Sequence, residues 1–528
     1  MNGTDDGRPP HNYERSLWID TTATTDYPSL RGNLAVDVVV IGGGITGLTA
    51  AMILKHSGAS VALIEARQIA LGTTGNTTAK ITALHGMAYG PLLQKHGQEA
   101  ARTYAEANLV ALEFIAKLIA DRSIECDFRR LPAYTYTESS RKVKDIEDEV
   151  KAARRAGLDA TYVAETPLPF PVRAAVRLDN QAQFHPRRYA MALATLVADD
   201  GSHVFEQTRA VTLREHERRV DVTTEHGSVN AGHAIIATLL PFHDPAGLFA
   251  KTHPSRSYAV SARVSAPAPQ GMFLSADSPT RSVRPFDGPD GAMLVVGGEE
   301  HKTGQESDTP ARYAAVEAWA RQHFAVQSIE HRWSAQDYVP ADGIPYVGSI
   351  GGSNRVLVAT GFKKWGMTNG TAAAIMMSDH ILKRPNAWLP LFDPTRLKIG
   401  ASAGAVIKEN ADVAQRFIGD RLPSRGAPRP DELVAGAGAV LDHAGHKVAV
   451  YHDPGQGLKV VSARCTHMGC IVAFNLAEKS WDCPCHGSRF DTDGRVIEGP
   501  ATSPLSPRQL DDSEGGGDPP AGPDKSTT

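Results

Sequence analysis

Apolar and polar positions alternate on different periods in different parts of the chain. Val36–Ile41 (VDVVVI) is a short β-branched run that suits a buried parallel strand. Gly42, Gly43, Gly44 and Gly47 follow, Leu48–Ser57 has helix-forming composition, and a second strand, Ser60–Ile64, ends at Glu65. The stretch Val38–Leu54 is almost free of charge, but four glycines interrupt it and it is barely long enough to span a bilayer. It therefore reads as strand, turn and helix. Tyr258–Val264 and Ala292–Val296 alternate in the manner of further strands. The pattern breaks at Arg416–Asp431, where three prolines, two glycines and many charges favour extended, hydrated chain. Residues 411–431 are accordingly read as a linker between a body at 34–410 and a smaller module at 432–508. Residues 1–33 form a polar tail in which Trp18 and Ile19 can dock locally, and 509–528, dense in Gly, Pro and acids, are expected to be disordered. No internal repeat relates the two modules.

Composition narrows the function classes. The 528 residues are 41% hydrophobic and 22% charged, enough apolar content to bury real cores, and at ~150 residues per domain the length suits three or four structural units. A net charge of −4 with no basic cluster argues against nucleic acid as a partner. The polar N-terminal thirty residues lack the apolar run of a secretory signal, which points to the cytoplasm and leaves peripheral membrane association open, with no transmembrane segment expected. Of five cysteines, Cys126 stands alone, whereas Cys465, Cys470, Cys483 and Cys485 lie within 21 residues, a clustering that marks a local metal or redox site.

The glycine run has the layout that holds a dinucleotide. Gly42 permits the tight turn, Gly44 lets backbone N–H groups approach a pyrophosphate at a helix N-terminus, with Ile45 and Thr46 beside it as further cofactor contacts, and Gly47 lets helix and strand pack closely. Glu65, followed by Ala66, stands 18 residues beyond Gly47, where a ribose acceptor belongs. Thr73, Thr74, Thr77 and Thr78 supply short hydroxyls, and Gly72 and Gly75 allow amides to turn toward an anion.

Together with the stretches 66–79 (ARQIALGTTGNTTA), 185–194 (HPRRYAMALA), 206–211 (EQTRAV), 234–238 (AIIAT), 342–348 (DGIPYVG) and 359–370 (ATGFKKWGMTNG), this segment resembles the FAD-dependent amine and amino-acid oxidase superfamily, which includes D-amino-acid oxidase, glycine oxidase and sarcosine oxidase. The resemblance spans roughly residues 34–390 and implies an α/β fold, α+β overall, with a Rossmann-like FAD-binding domain. It also implies an inserted mixed-sheet substrate domain, assembled from about 125–180 and 245–330. In that family FAD binds extended. The resemblance places its pyrophosphate at Gly42, Gly44 and Gly47, its ribose at Glu65, more phosphate and flavin contacts at Thr73–Thr78, its adenine at the Val211 backbone, and its isoalloxazine end at Gly361 and Gly366–Thr368, Met367 included.

In the small module Cys465-Thr466-His467 is followed by Cys483-Pro484-Cys485-His486. Two Cys–His pairs on two loops can grip one small metal centre, and zinc accepts the same donor set in a tetrahedron. The arrangement resembles a small all-β Rieske [2Fe–2S] domain, in which two thiolates hold one iron and two imidazoles the other, with potentials between about −150 and +300 mV. The resemblance implies that Cys465, His467, Cys483 and His486 are the ligands, that Cys470 and Cys485 form a disulfide clamping the loops, and that Ser488 donates toward a cluster sulfide. Reduced core thiols are the alternative for the extra pair. Phe490 stands where high-potential respiratory members carry Tyr, which removes one donor and lowers the expected potential.

A flavin delivers two electrons and a Rieske cluster takes one. The pairing therefore points to a dehydrogenase of an amine, amino acid or related small molecule, whose electrons leave through the cluster to an external acceptor such as a ferredoxin, a cytochrome or a quinone. The flavin carries the redox chemistry, so no single catalytic side chain is dictated. Candidates to face the substrate are Tyr258, Arg284 (which could pair with a substrate carboxylate), Lys363, Trp365 and His85, the last also able to approach the flavin covalently. A redox-sensing or electron-transfer flavo-iron–sulfur protein without metabolite turnover is the alternative. A Rieske oxygenase would need a two-His, one-carboxylate iron site, which residues 1–430 lack, and a respiratory subunit would be expected to carry a membrane anchor.

Overall fold

The computed structural model describes residues 15–288, 291–396 and 429–510, with Asn410, Ala411, residues 413–415 and Phe417. The expected linker falls mostly, and the expected C-terminal tail almost wholly, outside these residues.

Two sheets build the large body. The first runs in the order Tyr346–Ser349, Val356–Thr360, Gly227–Ile236, Gly32–Ile41, Val61–Ile64, His203–Phe205, and the pair Ala210–Glu215 and Val220–Thr224 continues from the Gly227–Ile236 strand. Its central strands are parallel, with Val38–Ile41 paired to Val61–Ile64 on one side and to residues 233–236 on the other. All four residues of Val38–Ile41 are buried because both sheet faces are covered. Helices Ile45–His56 and Gly366–Ile381 pack on one face, and the antiparallel excursion with Leu248 and Ile350 closes the other. The first strand begins at Gly32 rather than Val36, and the helix at Ile45 rather than Leu48.

The second sheet has nine strands and is mixed, in the order Val326–Pro340, Thr252–Val264, Gly291–Lys302, Arg281–Gly288, Met272–Ser275, Arg129–Thr137, Ala174–Gln183, Lys80–Ile81, with Thr161–Val163 at the side. It extends past both expected segments, to Pro340 and back to Lys80. The N-terminal residues from Ser16 onward are not a solvated tail. Helix Leu17–Asp20 is seated on the body, where Trp18 is fully buried and donates from Nε1 to the Thr77 carbonyl at 2.7 Å.

The C-terminal module is all-β. A three-stranded sheet (Gly438–His443, His446–Asp453, Gly457–Ser462) stands beside a four-stranded one (Ala473–Asn475, Ser480–Asp482, Arg489–Asp491, Val496–Glu498). A small core containing Trp481, Phe490, Val461 and the four clustered cysteines joins the two. No helix among the described residues is long and apolar enough to cross a membrane.

Candidate cofactor sites

A cavity of about 640 Å³ lies between the two large sheets. Its floor is the turn after the first strand, and local sterics explain the glycines there. Gly42 has φ of 112°, and a Cβ on it would sit 2.5 Å from the Ala237 carbonyl oxygen. A Cβ on Gly47 would sit 2.0 Å from the Gly42 carbonyl oxygen, so this glycine serves close packing and does not itself line the cavity. Glu65 lies at the strand end, its Oε2 accepting from the Gly43 N–H at 2.8 Å and its Oε1 from the Arg67 N–H at 2.9 Å. Thr74 Oγ1 accepts from the Ile45 N–H at 3.0 Å, which fixes the threonine loop against the helix start.

The expected FAD contacts divide on this geometry. Gly42, Gly44, Ile45, Thr46, Glu65, Ala66, Thr73, Thr74, Thr77, Thr78, Gly366 and Met367 all line the cavity. Val211 does not, because the strand carries its neighbours Thr208, Arg209 and Ala210 to the wall instead. Gly361 packs on Pro340, and Thr368 is buried one helical position behind the wall, donating to the Thr82 carbonyl at 3.1 Å. A cavity lined by a glycine turn at a helix start, an acid and a hydroxyl-rich loop fits a dinucleotide.

The candidates for the substrate side also divide. Tyr258 lines the cavity and bonds His301 Nε2 through its hydroxyl at 2.9 Å, and Lys363 and Trp365 form part of the opposite turn. Arg284 does not reach the cavity. It is fully buried, its Nη1 donates to the carbonyls of Ala79 and Phe184, and its guanidinium lies 4.7 Å over the Trp18 ring. Burial pushes its pKa down to about 9, and its role is to tie the N-terminal segment to the second sheet. His85 lines the cavity, but both ring nitrogens are engaged, Nδ1 with the Tyr104 hydroxyl at 2.6 Å and Nε2 with the Thr82 carbonyl at 2.7 Å. Its ring stacks on Trp365, and burial lowers its pKa to about 3, so it is a neutral support for that indole.

Two cavity residues carried no signal in the sequence. Lys80 reaches through the wall to donate to the Phe273 carbonyl at 2.7 Å and to Ser282 Oγ, and burial, with Arg284 nearby, lowers its pKa to about 7. Asp337 accepts from the backbone N–H groups of Tyr338 and Lys364, yet burial raises its pKa to about 6.

The second site lies in the small module. Cys465 and Cys483 are buried free thiols hydrogen-bonded to each other, and Cys465 is the more acidic of the pair because it accepts from Cys483. The rings of His467 and His486 stand 5.1 Å apart and nearly perpendicular. The Nδ1 atoms of both are buried without a hydrogen-bond partner. Two orphaned imidazole nitrogens beside two free thiols are the donor set of a Rieske cluster. Cys470 and Cys485 are joined in a disulfide with Cα atoms 6.5 Å apart, so although Cys470, Cys483 and Cys485 sulfurs lie close together, two of the three cannot act as thiolates. The Ser488 hydroxyl bonds Cys465.

The two sites are stitched together by residues that sequence reasoning missed. On strand Val326–Pro340, Gln336 Nε2 donates to the Gly487 carbonyl and Tyr338 OH to the His486 carbonyl, both at 2.8 Å. The Gln336 carbonyl in turn accepts from Thr73 Oγ1 at 2.9 Å, on the threonine loop of the cavity. Phe249 sets its ring edge-on to His486 at 5.1 Å. Gln336 and Tyr338 share a strand face as alternate residues of any strand do, and nothing in the sequence marks the partner domain.

Comparison with known proteins agrees with both sites. The family described as FAD dependent oxidoreductase matches residues 37–380, and the Rieske [2Fe-2S] domain matches residues 427–509. YhfW of Bacillus subtilis (strain 168), named as a putative Rieske 2Fe-2S iron–sulfur protein, is 36% identical over 94% of this chain and 98% of its own. Glycine oxidase from Geobacillus kaustophilus has the same fold at TM-score 0.57 and 17% identity, over 69% of this chain and 99% of its own. L-proline dehydrogenase from P. horikoshii matches at TM-score 0.56 and 18% identity, over 70% of this chain and 99% of its own.

Proposed function

Because the chain belongs to the FAD-dependent oxidoreductase family and carries a C-terminal Rieske [2Fe–2S] domain, we propose that it is a dehydrogenase of an amine, amino acid or related small molecule that delivers its electrons to an external acceptor by way of the cluster. The observation that carries this proposal is the strand segment Gln336–Tyr338. Gln336 and Asp337 line the cavity, while Gln336 and Tyr338 hydrogen-bond the carbonyls of Gly487 and His486. One short segment thus touches both cofactor sites.

Bound FAD supplies two-electron oxidation of a C–H bond and the bound cluster one-electron transfer. Gly42–Thr46, Glu65 and the threonine loop would hold the FAD, and Cys465, His467, Cys483 and His486 the cluster. The protein's own share is orientation and proton handling. Tyr258 and Ser282 of the second sheet, with Thr280 just before the strand Arg281–Gly288, line the cavity together with the turn Lys363–Met367. Lys80 Nζ, with its pKa near 7, can hold or release a proton at neutral pH on that wall. Lys364 is committed to Glu300 at 2.7 Å. At the outer side of the cluster loops Thr466 and Met468 are exposed on either side of His467, which leaves an acceptor a route to that imidazole.

The test is an anaerobic screen of amines, amino acids and hydroxy acids on the purified protein, following flavin absorbance and the EPR signal of the reduced cluster. A substrate should bleach the flavin and then raise the cluster signal, and Cys465→Ala should lose turnover with ferredoxin, cytochrome or quinone while retaining flavin bleaching. When the assay is repeated in air, hydrogen peroxide formed at the same rate in both proteins would show direct oxidation by dioxygen and sink the electron route. Failure of every substrate class to bleach the flavin would favour a sensing role.

A further inference from the structure

Residues Ile497–Thr502 belong to the Rieske domain, yet they line the same cavity as Gly42–Thr46 and Glu65. Arg209, on the cavity wall, donates from Nη2 to the Val496 carbonyl at 3.0 Å and anchors this segment. The contact is at the nucleotide half of the cavity, because Arg209 follows directly on Thr208, whose N–H donates to the Glu65 carbonyl at 2.8 Å. The cavity wall there comes from two domains.

The reverse side of the same segment reaches the cluster loops. Ala501, 2% exposed, donates its N–H to Ser488 Oγ at 3.0 Å, and the Ser488 hydroxyl bonds Cys465. The Cys483 N–H donates to the Ser488 carbonyl at 2.8 Å. A displacement of the cavity wall at Ala501 therefore moves a hydrogen bond to a sulfur, and hydrogen bonds near the sulfurs set the potential of such a cluster.

We propose that residues 497–502 of the Rieske domain form part of the FAD-binding wall, and that dinucleotide occupancy is transmitted through Ala501 and Ser488 to the cluster. Binding coupled in this way is reciprocal: what the cluster loops do to the wall alters FAD affinity, and FAD alters the cluster. The inference concerns binding, so it stands or falls independently of which substrate the enzyme oxidises.

The experiment uses full-length protein that retains its cluster after FAD has been removed by dialysis in concentrated bromide. FAD is titrated back by quenching of its fluorescence, and the cluster is followed by EPR and by redox titration with and without FAD. Thr502→Trp, which fills the wall, should raise the FAD Kd by roughly tenfold or more while the cluster signal persists. Ile497→Ala, which only trims it, should raise Kd a few-fold. Leu458→Trp, at an exposed position of the same domain, should leave Kd unchanged. In the wild type, FAD should shift the cluster's potential, and Ser488→Ala should abolish that shift. Kd values within twofold of wild type for Thr502→Trp and Ile497→Ala would overturn the shared wall, and if Thr502→Trp loses its cluster, Ile497→Ala decides. A cluster potential and EPR spectrum indifferent to FAD would overturn the transmission.

Discussion

Replacing Glu478 by Gln removes the charged part of the contact between the domains. Glu478, on the Rieske domain, accepts from Arg256 through both guanidinium nitrogens Nε and Nη2, from Ser334 Oγ, from the Tyr313 hydroxyl at 3.4 Å, and from Arg489 of its own domain. Burial raises the Glu478 pKa, but Arg256 and Arg489 outweigh it and hold the value at about 2 against an ordinary 4.5. Part of that depression comes from Arg489, which Glu478 keeps when the domains separate, so the docking share is taken from the ~3–5 kcal/mol for breaking a buried ion pair. Glutamine keeps the shape and an Oε1 acceptor for Ser334 and Tyr313, but its Nε2 takes the place of the oxygen that accepts from Arg256 and Arg489, so the charge and those two hydrogen bonds are lost together. Arg489 remains paired with Asp482 at 2.8 Å, whereas Arg256, 1% exposed, is left uncompensated at the interface. About 3 kcal/mol is roughly a hundredfold in the docking equilibrium. Thermal loss of the cluster's visible absorbance should move down by about 10 °C or more for a domain of this size, and the double variant Arg256→Met/Glu478→Leu should recover most of it. The sign with pH is fixed by the lowered pKa. The stabilisation is complete above about pH 4.5 and lost as pH falls toward 2, so only the wild type should lose it over that window. A midpoint for Glu478→Gln within about 2 °C of wild type would refute the reasoning.

Three further outcomes are expected. Glu65→Arg should lower FAD occupancy, read as the ratio of flavin to protein absorbance, because a cation replaces the carboxylate that orders the Gly43 and Arg67 amides; full occupancy would count against the nucleotide assignment. Cys465→Ala and His486→Ala should each lose iron by elemental analysis, and zinc in the wild-type protein, or iron in both variants, would show that the ligand set is wrong. Lys80 is the pH probe: burial lowers its pKa from 10.5 to about 7, so the unfolded chain binds the proton more tightly and stability should rise as pH climbs from 7 toward 10. Lys80→Met should flatten that slope in urea unfolding, and an unchanged slope would reject Lys80 as its source.

What was legible in the sequence is what is encoded at short range. The glycine turn, the acid at the second strand end and the two Cys–His loops are each set by spacing within about twenty residues, and the backbone sterics at Gly42 and Gly47 leave few alternatives. Long-range facing was not legible. Arg284 is of the right type to hold a carboxylate, but its strand turns it toward Trp18, a residue of the segment expected to be a polar tail. Val211 lies just past the wall, because the consecutive residues Thr208, Arg209 and Ala210 line the cavity and the chain then leaves it along the strand Ala210–Glu215. Lys80 was hidden for the converse reason: it sits on a two-residue strand whose neighbours are recruited from residues 182 and 183.

The same distinction bears on how electrons would leave the flavin site. An interface between domains of one chain is by default polar and free to move, and a swinging Rieske domain would need to break its contacts at each turnover. Here those contacts are buried and charged on one side, at Glu478 and Arg256, and hydrogen-bonded to the cluster loop itself on the other, at Gln336 and Tyr338. Undocking would part Arg256 from its carboxylate and trade the Gln336 and Tyr338 hydrogen bonds for bonds to water, at about 0.5–1.5 kcal/mol for each bond in addition to the ion pair. These costs keep the docked arrangement dominant. In that arrangement Gln336–Tyr338 stays in contact with the cavity and the cluster loop at once, so the transfer proposed above needs no swing of the Rieske domain.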